Sequence, residues 1–227
     1  MEACPNCPKT SCPSPEAYME LYGREGDIYV VTLSANLSGS YNSAELAKKL
    51  YLEEHPGKNI AVINSCSASV GQTLIAMKIQ EAAEQGKPFR EIVKEAEAFR
   101  DGLHTKFVLE SLETLRKNGR LSNLKAIICS ALNIKPVMRG TSDGQIEKMD
   151  QARGIEKALQ KMADHIGEDV KDPKKRICAI AHCNNYERAV YVQKEISKRT
   201  SFREYLIVDT AGISSFYASD GGIIVCY

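Results

Sequence analysis

Four serines, Ser34, Ser38, Ser40 and Ser43, crowd the stretch Asp27 to Ala47, DIYVVTLSANLSGSYNSAELA. Their hydroxyls can donate to an anion. The loop that carries them has no Lys, Arg, His, Asp or Glu. That chemistry suits holding an anion rather than transforming it, because a nucleophilic serine needs a base beside it. The plainer reading is that the serines cap the helix that follows. The residues alone leave both readings open.

The elements around the loop favour a ligand site. Ile28 to Leu33 reads as a buried strand, and a helix is predicted from about Tyr41. A strand that runs through a small-residue loop into a helix presents the free amides of the first turn, and the positive end of the helix dipole, to whatever lies in front. A second copy of the pattern follows. Asn59 to Asn64 is a short apolar strand, Ser65-Cys66-Ser67-Ala68-Ser69 is another hydroxyl-rich loop, and Val70 to Gln85 reads as a helix stopped by Gly86. Pro88 then opens a helix with Phe89, Ile92, Val93, Ala96 and Phe99 on one face. Alternating short strands and helices predict a parallel sheet with helices on both faces, and ligands of such sheets bind at the carboxyl ends of the strands. Both hydroxyl-rich loops fall at such ends.

The pattern changes near Gly102 to Thr105. Phe107 to Leu109 reads as a strand, and SLETLRKNGRLS as a helical turn ending near Gly119. Asn123 to Leu132 is expected to be an apolar helix, buried or lining an apolar cavity. Ile134 to Arg139 and Gln145 to Asp150 flank the turn Ser142-Asp143-Gly144 and form a predicted hairpin. Helix Arg153 to Ile166, strand Arg176 to His182, helix Tyr186 to Lys198, strand Tyr205 to Asp209, polar loop Ser214 to Asp220 and strand Gly221 to Cys226 complete the chain. The hairpin makes this half a mixed sheet. The expected architecture is α/β in two domains, residues 1–104 and 105–227. Residues 1 to 15 hold four of the eight prolines and should be extended, with Ser14 capping a short helix that starts at Pro15.

Composition excludes several classes. Thirty basic against twenty-nine acidic side chains leave no general basic character for nucleic acid. No apolar run reaches the ~20 residues that span a bilayer. The start, MEACPNCPKTSCPSPE, has no apolar core of a signal peptide, so a cytoplasmic protein is expected. Cys4 and Cys7 have metal-ligand spacing with Cys12 nearby, but zinc needs four ligands and no second such pair is present. Cys66, Cys129, Cys178 and Cys226 should be buried thiols. Of the four histidines, His182 ends an apolar strand at the ligand edge, where a structural role is the default. The cluster Arg116-Lys117-Asn118-Gly119-Arg120 and the Arg153-Gly154 helix start could meet an acidic partner.

The segments PKTSCPSPEAYMELY, VVTLSANLSGSYNSAELA, LETLRKNGRLS, LNIKPVMRG, DGQIEKMDQARG and SSFYASDGGIIV, in this order, resemble the DegV family of bacterial lipid-binding proteins. The resemblance implies two α/β domains with a long-chain fatty acid buried between them. The acyl tail would fill an apolar tunnel and hydroxyls would hold the carboxylate. Some members are binding subunits of a fatty acid kinase, presenting the carboxylate to a separate ATP-binding protein without being catalysts themselves. No cofactor beyond the bound fatty acid is implied. Carried over, the K-T-S segment puts Thr10 and Ser11 at the carboxylate, and the S-G-[ST]-Y segment puts Ser38, Gly39 and Ser40 there. The A-R-G segment puts Arg153 near the mouth, to meet the carboxylate or the kinase. Two departures stand out. The family pattern begins with a strand and an acidic-Ser loop ahead of the K-T-S segment. Its G-T-H-T-G-P-G-A segment is replaced here, with Tyr217 where the histidine would be, able still to donate a hydrogen bond. The competing reading is a hydrolase or transferase acting on an acyl substrate through Ser38 or His182.

Overall fold

The computed structural model describes residues 8–121 and 133–227. The first half begins with helix α1 (Pro15–Tyr22), capped as its sequence predicts: Ser14 Oγ accepts from the Ala17 amide and Pro15 opens the first turn. Strands β1 (Ile28–Thr32) and β2 (Ile60–Asn64) pair in parallel, Ile28 against Ile60 through Thr32 against Asn64. Helix α2 (Ser40–Glu54) connects them, and α3 (Val70–Glu84) and α4 (Phe89–Asp101) follow.

The alternation of side chains along β1 sorts the helices. Ile28 and Val30 pack with Tyr22, Ala47 and Tyr51 of α1 and α2. Tyr29 and Val31 pack with Ile75, Ile79, Ile92 and Ala96 of α3 and α4. Helices therefore cover both faces, which is why Ile60 to Ile63 of β2 are all buried.

The second half is a six-stranded sheet in the order β5-β4-β3-β8-β6-β7. Its strands are β3 (Thr105–Val108), β4 (Ile134–Gly140), β5 (Ile146–Arg153), β6 (Ile177–His182), β7 (Glu204–Asp209) and β8 (Ile223–Cys226). Only β6 and β7 run parallel; the other neighbours are antiparallel, so the sheet is mixed. Helices α6 (Ile155–Asp169) and α7 (Tyr186–Ser197) bury Leu159, Met162, Ile166, Val192 and Ile196 against one face. On the other face, Val70 and Leu74 of α3 pack on Ala179, Ala181 and Cys226. The first half thus seats a helix directly on the second sheet. Inner strand β6, ICAIAH, is covered on both faces, and this explains its apolar run without alternation.

One element differs from the sequence reading. Ser214 to Asp220 is not a polar loop: Gly212–Ala218 forms helix α8. Gly212 enters it with φ +47°, a Thr210–Ser215 hydroxyl pair at 2.8 Å braces its start, and Ala218 is buried on the inner side. Within it Ser214 lines an apolar cavity and Ser215 bonds Thr210. The short helix α5 (Glu113–Lys117) lies opposite α8. The expected apolar helix 123–132 lies outside the described residues, as do Cys129, Cys4 and Cys7.

Candidate functional site

Both hydroxyl-rich loops end up side by side at the carboxyl ends of β1 and β2. The Ser34 amide donates to the Ser67 carbonyl at 2.9 Å, and the Ala35 amide to Asn64 Oδ1 at 3.0 Å. In the first loop Ser38 and Ser40 share a hydroxyl–hydroxyl bond of 2.9 Å, and the Ser40 amide donates to Ser38 Oγ at 3.2 Å. Gly39 sits at the start of α2, and a Cβ there would meet Cys12 Sγ at 3.2 Å. With the Ser43 hydroxyl donating to the Pro13 carbonyl at 2.7 Å, this close approach holds the Thr10–Pro13 segment against the Ser38 loop. Thr10 Oγ1 reaches Tyr217 Oη of α8 at 2.9 Å.

Below these loops lies an apolar cavity open on one side. Leu33, Leu37 and Cys66 to Ser69 roof it. Phe107 and Ile224 of the second sheet, with Leu109 just after β3, form its floor, and Leu115, Ile213, Tyr217 and Ala218 close one side. The opposite wall is the β4–β5 hairpin tip, through Gly140, Gly144, Gln145 and Ile146. Among the described residues the lining holds no His, Asp or Glu, and its one cation is Arg120, whose Nε donates to the Leu37 carbonyl at 3.1 Å and whose guanidinium lies 6.0 Å from the Tyr217 ring centre.

One stretch of the lining is polar but self-satisfied. Ser67 and Thr105 hydroxyls pair at 2.6 Å, with Cys226 Sγ 3.4 Å from Thr105. Burial pushes the Cys226 thiol up to about 11 and raises that of Cys66. Neither is a ready thiolate.

Of the residues singled out from sequence, Tyr217 lines this cavity and bonds Thr10, while Ser38, Gly39 and Ser40 follow Leu37 of the lining in the adjoining loop. Ser11 is exposed next to Thr10. Arg153 does not join them: it is exposed at the end of β5, paired in register with Ile134, and does not line the cavity. His182 is buried away from the lining, its Nδ1 accepting from the Asn185 amide at 3.3 Å and lying 3.2 Å from Asp209 Oδ1. Sequence reasoning weighed Arg120 only as part of a basic cluster and did not mark Leu33, Leu37, Phe107 or Gly144. Leu33 and Leu37 had a signal, as apolar residues flanking a hydroxyl loop. Gly144 had none, because its role depends on a partner 110 residues away. Among the described residues no group of three or more His, Cys, Asp or Glu could hold a metal, and no helix is long and apolar enough to cross a membrane.

Fold and site together define an α/β protein with an apolar cavity beside a hydroxyl-rich loop. The chain belongs to the DegV family, whose model matches residues 1–227. A DegV domain-containing protein of Streptococcus pneumoniae is 34% identical over 227 residues, covering 100% of this chain and 80% of that protein. A DegV family structure from Ruminococcus gnavus, refined with vaccenic acid, superposes with a TM-score of 0.96 at 54% identity, covering 100% of this chain and 81% of that one. The S. pneumoniae fatty acid kinase Fak B3 protein, loaded with linoleic acid, gives 0.90 at 34% identity, over 100% and 80% of the two chains. A Eubacterium eligens family member loaded with heptadecanoic acid gives 0.87 at 32% identity, over 95% and 78%.

Proposed function

We propose that this chain binds a long-chain fatty acid and presents its carboxylate to a fatty acid kinase. The observation that carries the reading is the cavity: apolar walls, without an acid or a histidine among the described residues, beside the Ser38 loop and the Thr10–Tyr217 pair. In this reading the carboxylate lies among Thr10, Ser11, Ser38 and Ser40. Gly39 lets the backbone approach and Tyr217 steadies Thr10.

The energetics favour such a design. Hydroxyls at a helix N-terminus accept a carboxylate without the desolvation of a buried ion pair. The tail supplies affinity at about 0.8 kcal/mol per buried methylene. Sixteen methylenes give roughly 13 kcal/mol before association costs, ample for micromolar or tighter binding.

The head group needs to be reachable for phosphoryl transfer. Arg120, in the lining beside Leu37, is the cation we assign to the partner-facing side. The chain then acts as a carrier and not as the catalyst, in the cytoplasm where an ATP-dependent kinase works. The hydroxyl partner of Ser38 is Ser40, not a general base, which supports binding over hydrolysis. Incubating lipid-loaded protein with a fatty acid kinase catalytic subunit and ATP, with hydroxylamine as trap, tests presentation. Acyl hydroxamate is expected, and its absence with loaded protein and active kinase overturns this half of the reading.

A further inference from the structure

Ser34 is fully buried, with 0% exposure, although it stands only four positions before Ser38. Every polar group it has is engaged. Its amide donates to the Ser67 carbonyl, and its carbonyl accepts the amides of Leu37 and Ser38, both at 3.0 Å. Its hydroxyl donates to the Gly144 carbonyl at 2.7 Å and accepts from the Asn36 amide at 3.3 Å. One side chain therefore ties the turn that carries Ser38 to the hairpin tip across the cavity.

The hairpin tip is a firm anchor. The Thr141 amide bonds the Gln145 carbonyl and the Gly144 amide the Thr141 carbonyl, both at 2.9 Å. The Asn36 side-chain amide adds a second tie, to the Asp143 carbonyl at 2.7 Å. The approach also needs a glycine. Gly144 has φ +82°, and a Cβ there would lie 2.3 Å from Ser34 Oγ and 2.8 Å from Cys66 Cα.

We infer that Ser34 is a positioning residue for the head-group site: through Gly144 it sets the Ser38 turn against the cavity wall, so that carboxylate site and apolar wall are built as one unit. This rests on the reading that Ser38 receives the carboxylate. A neutral hydroxyl site has no long-range charge to forgive misplacement, so it depends on geometry held to about half an ångström. Ser34 does not line the cavity and acts through Ser38. Removing its hydroxyl also strands the buried Gly144 carbonyl without its donor.

The test uses a fluorescent C18 fatty acid, cis-parinaric acid, beside its methyl ester, and reads the acid-to-ester affinity ratio. Ser34→Ala should weaken the acid about tenfold, mainly through faster release, and leave the ester nearly unchanged. Ser34→Thr, which keeps the hydroxyl, should restore acid binding. Gly144→Ala keeps Ser34 but pushes the tip away, and should reproduce the loss; it carries the test if Ser34→Ala does not fold. The double variant Ser34→Ala/Ser38→Ala should bind the acid no worse than Ser38→Ala. Equal losses for acid and ester, or additive losses in the double variant, overturn the inference. If Ser38→Ala weakens acid binding while Ser34→Ala and Gly144→Ala bind like wild type, this inference alone falls. If Ser38→Ala has no effect, the reading beneath it falls as well.

Discussion

Thr10 Oγ1 and Tyr217 Oη meet at 2.9 Å across 207 residues of sequence. The contact joins the extended N-terminal segment to α8 over the head of the cavity. Tyr217→Phe removes one partner and keeps the ring that lines the wall. A hydrogen bond of this kind contributes about 0.5–1.5 kcal/mol net, so fatty acid affinity should fall roughly two- to tenfold. Titration with a fluorescent fatty acid measures it, and unchanged affinity would remove Tyr217 from the head site.

Chain length can be edited from the roof. Ala68 lines the cavity between two serines, and Ala68→Phe adds a ring to space the acyl chain is proposed to fill. The lipid recovered from this variant should shift to shorter chains, with total occupancy reduced. Mass spectra of extracts from variant and wild type would show it. An identical chain-length distribution would mean that the tail runs elsewhere.

Acid stability should report on Asp150, far from the cavity. Lys161 at 2.7 Å lowers its carboxyl to about 2, aided by the Gln151 amide and by His165 at 3.0 Å. A folded-state value below the unfolded one contributes stability above pH ~4, lost as pH falls towards 2. After solvent screening the contribution is about 1 kcal/mol. Urea midpoints of Asp150→Asn and wild type should differ at pH 6 and converge near pH 2. A gap that persists at pH 2 would show that packing, not ionisation, is being lost.

A buried lysine gives an asymmetric pair of variants. Lys106, 2% exposed, bonds Asp169 Oδ2 at 2.7 Å and the Tyr227 hydroxyl, whereas Asp169 is 40% exposed. Burial pulls the lysine below its ordinary value against the opposing pull of Asp169. Asp169→Ala leaves that ammonium without its carboxylate and should cost about 3 kcal/mol. Lys106→Met leaves a carboxylate that water can reach and should cost about 1 kcal/mol. Chemical denaturation compares them, and the reverse order would contradict the assignment of charge burial to Lys106.

Much of the proposed head site is readable because it is local. Ser38, Gly39 and Ser40 belong to one strand–loop–helix unit, and periodicity places such a loop at a strand's carboxyl end. The sandwich of helices around β1 and β2 followed from the same pattern. What escaped is non-local. Gly144 earns its place only through a Ser34 hydroxyl 110 residues away, and Arg120 through the Leu37 carbonyl. The segment Ser214 to Asp220 reads as a loop because its serines suit turns. Its helical state comes from packing Ala218 and Tyr217 inward against α5 and the second sheet. Arg153 was placed at the mouth by motif, yet the register of β5 with Ile134 leaves it exposed away from the cavity.

The central claim is that the cavity holds a fatty acid by its carboxylate. Native mass spectrometry of protein purified from a bacterial host tests it most directly, with lipid extraction and delipidated protein re-exposed to oleate. The account predicts one long-chain fatty acid per chain, regained after delipidation and lost more readily from Thr10→Ala and Ser38→Ala. Protein that carries no acyl chain and takes up none on addition would contradict it.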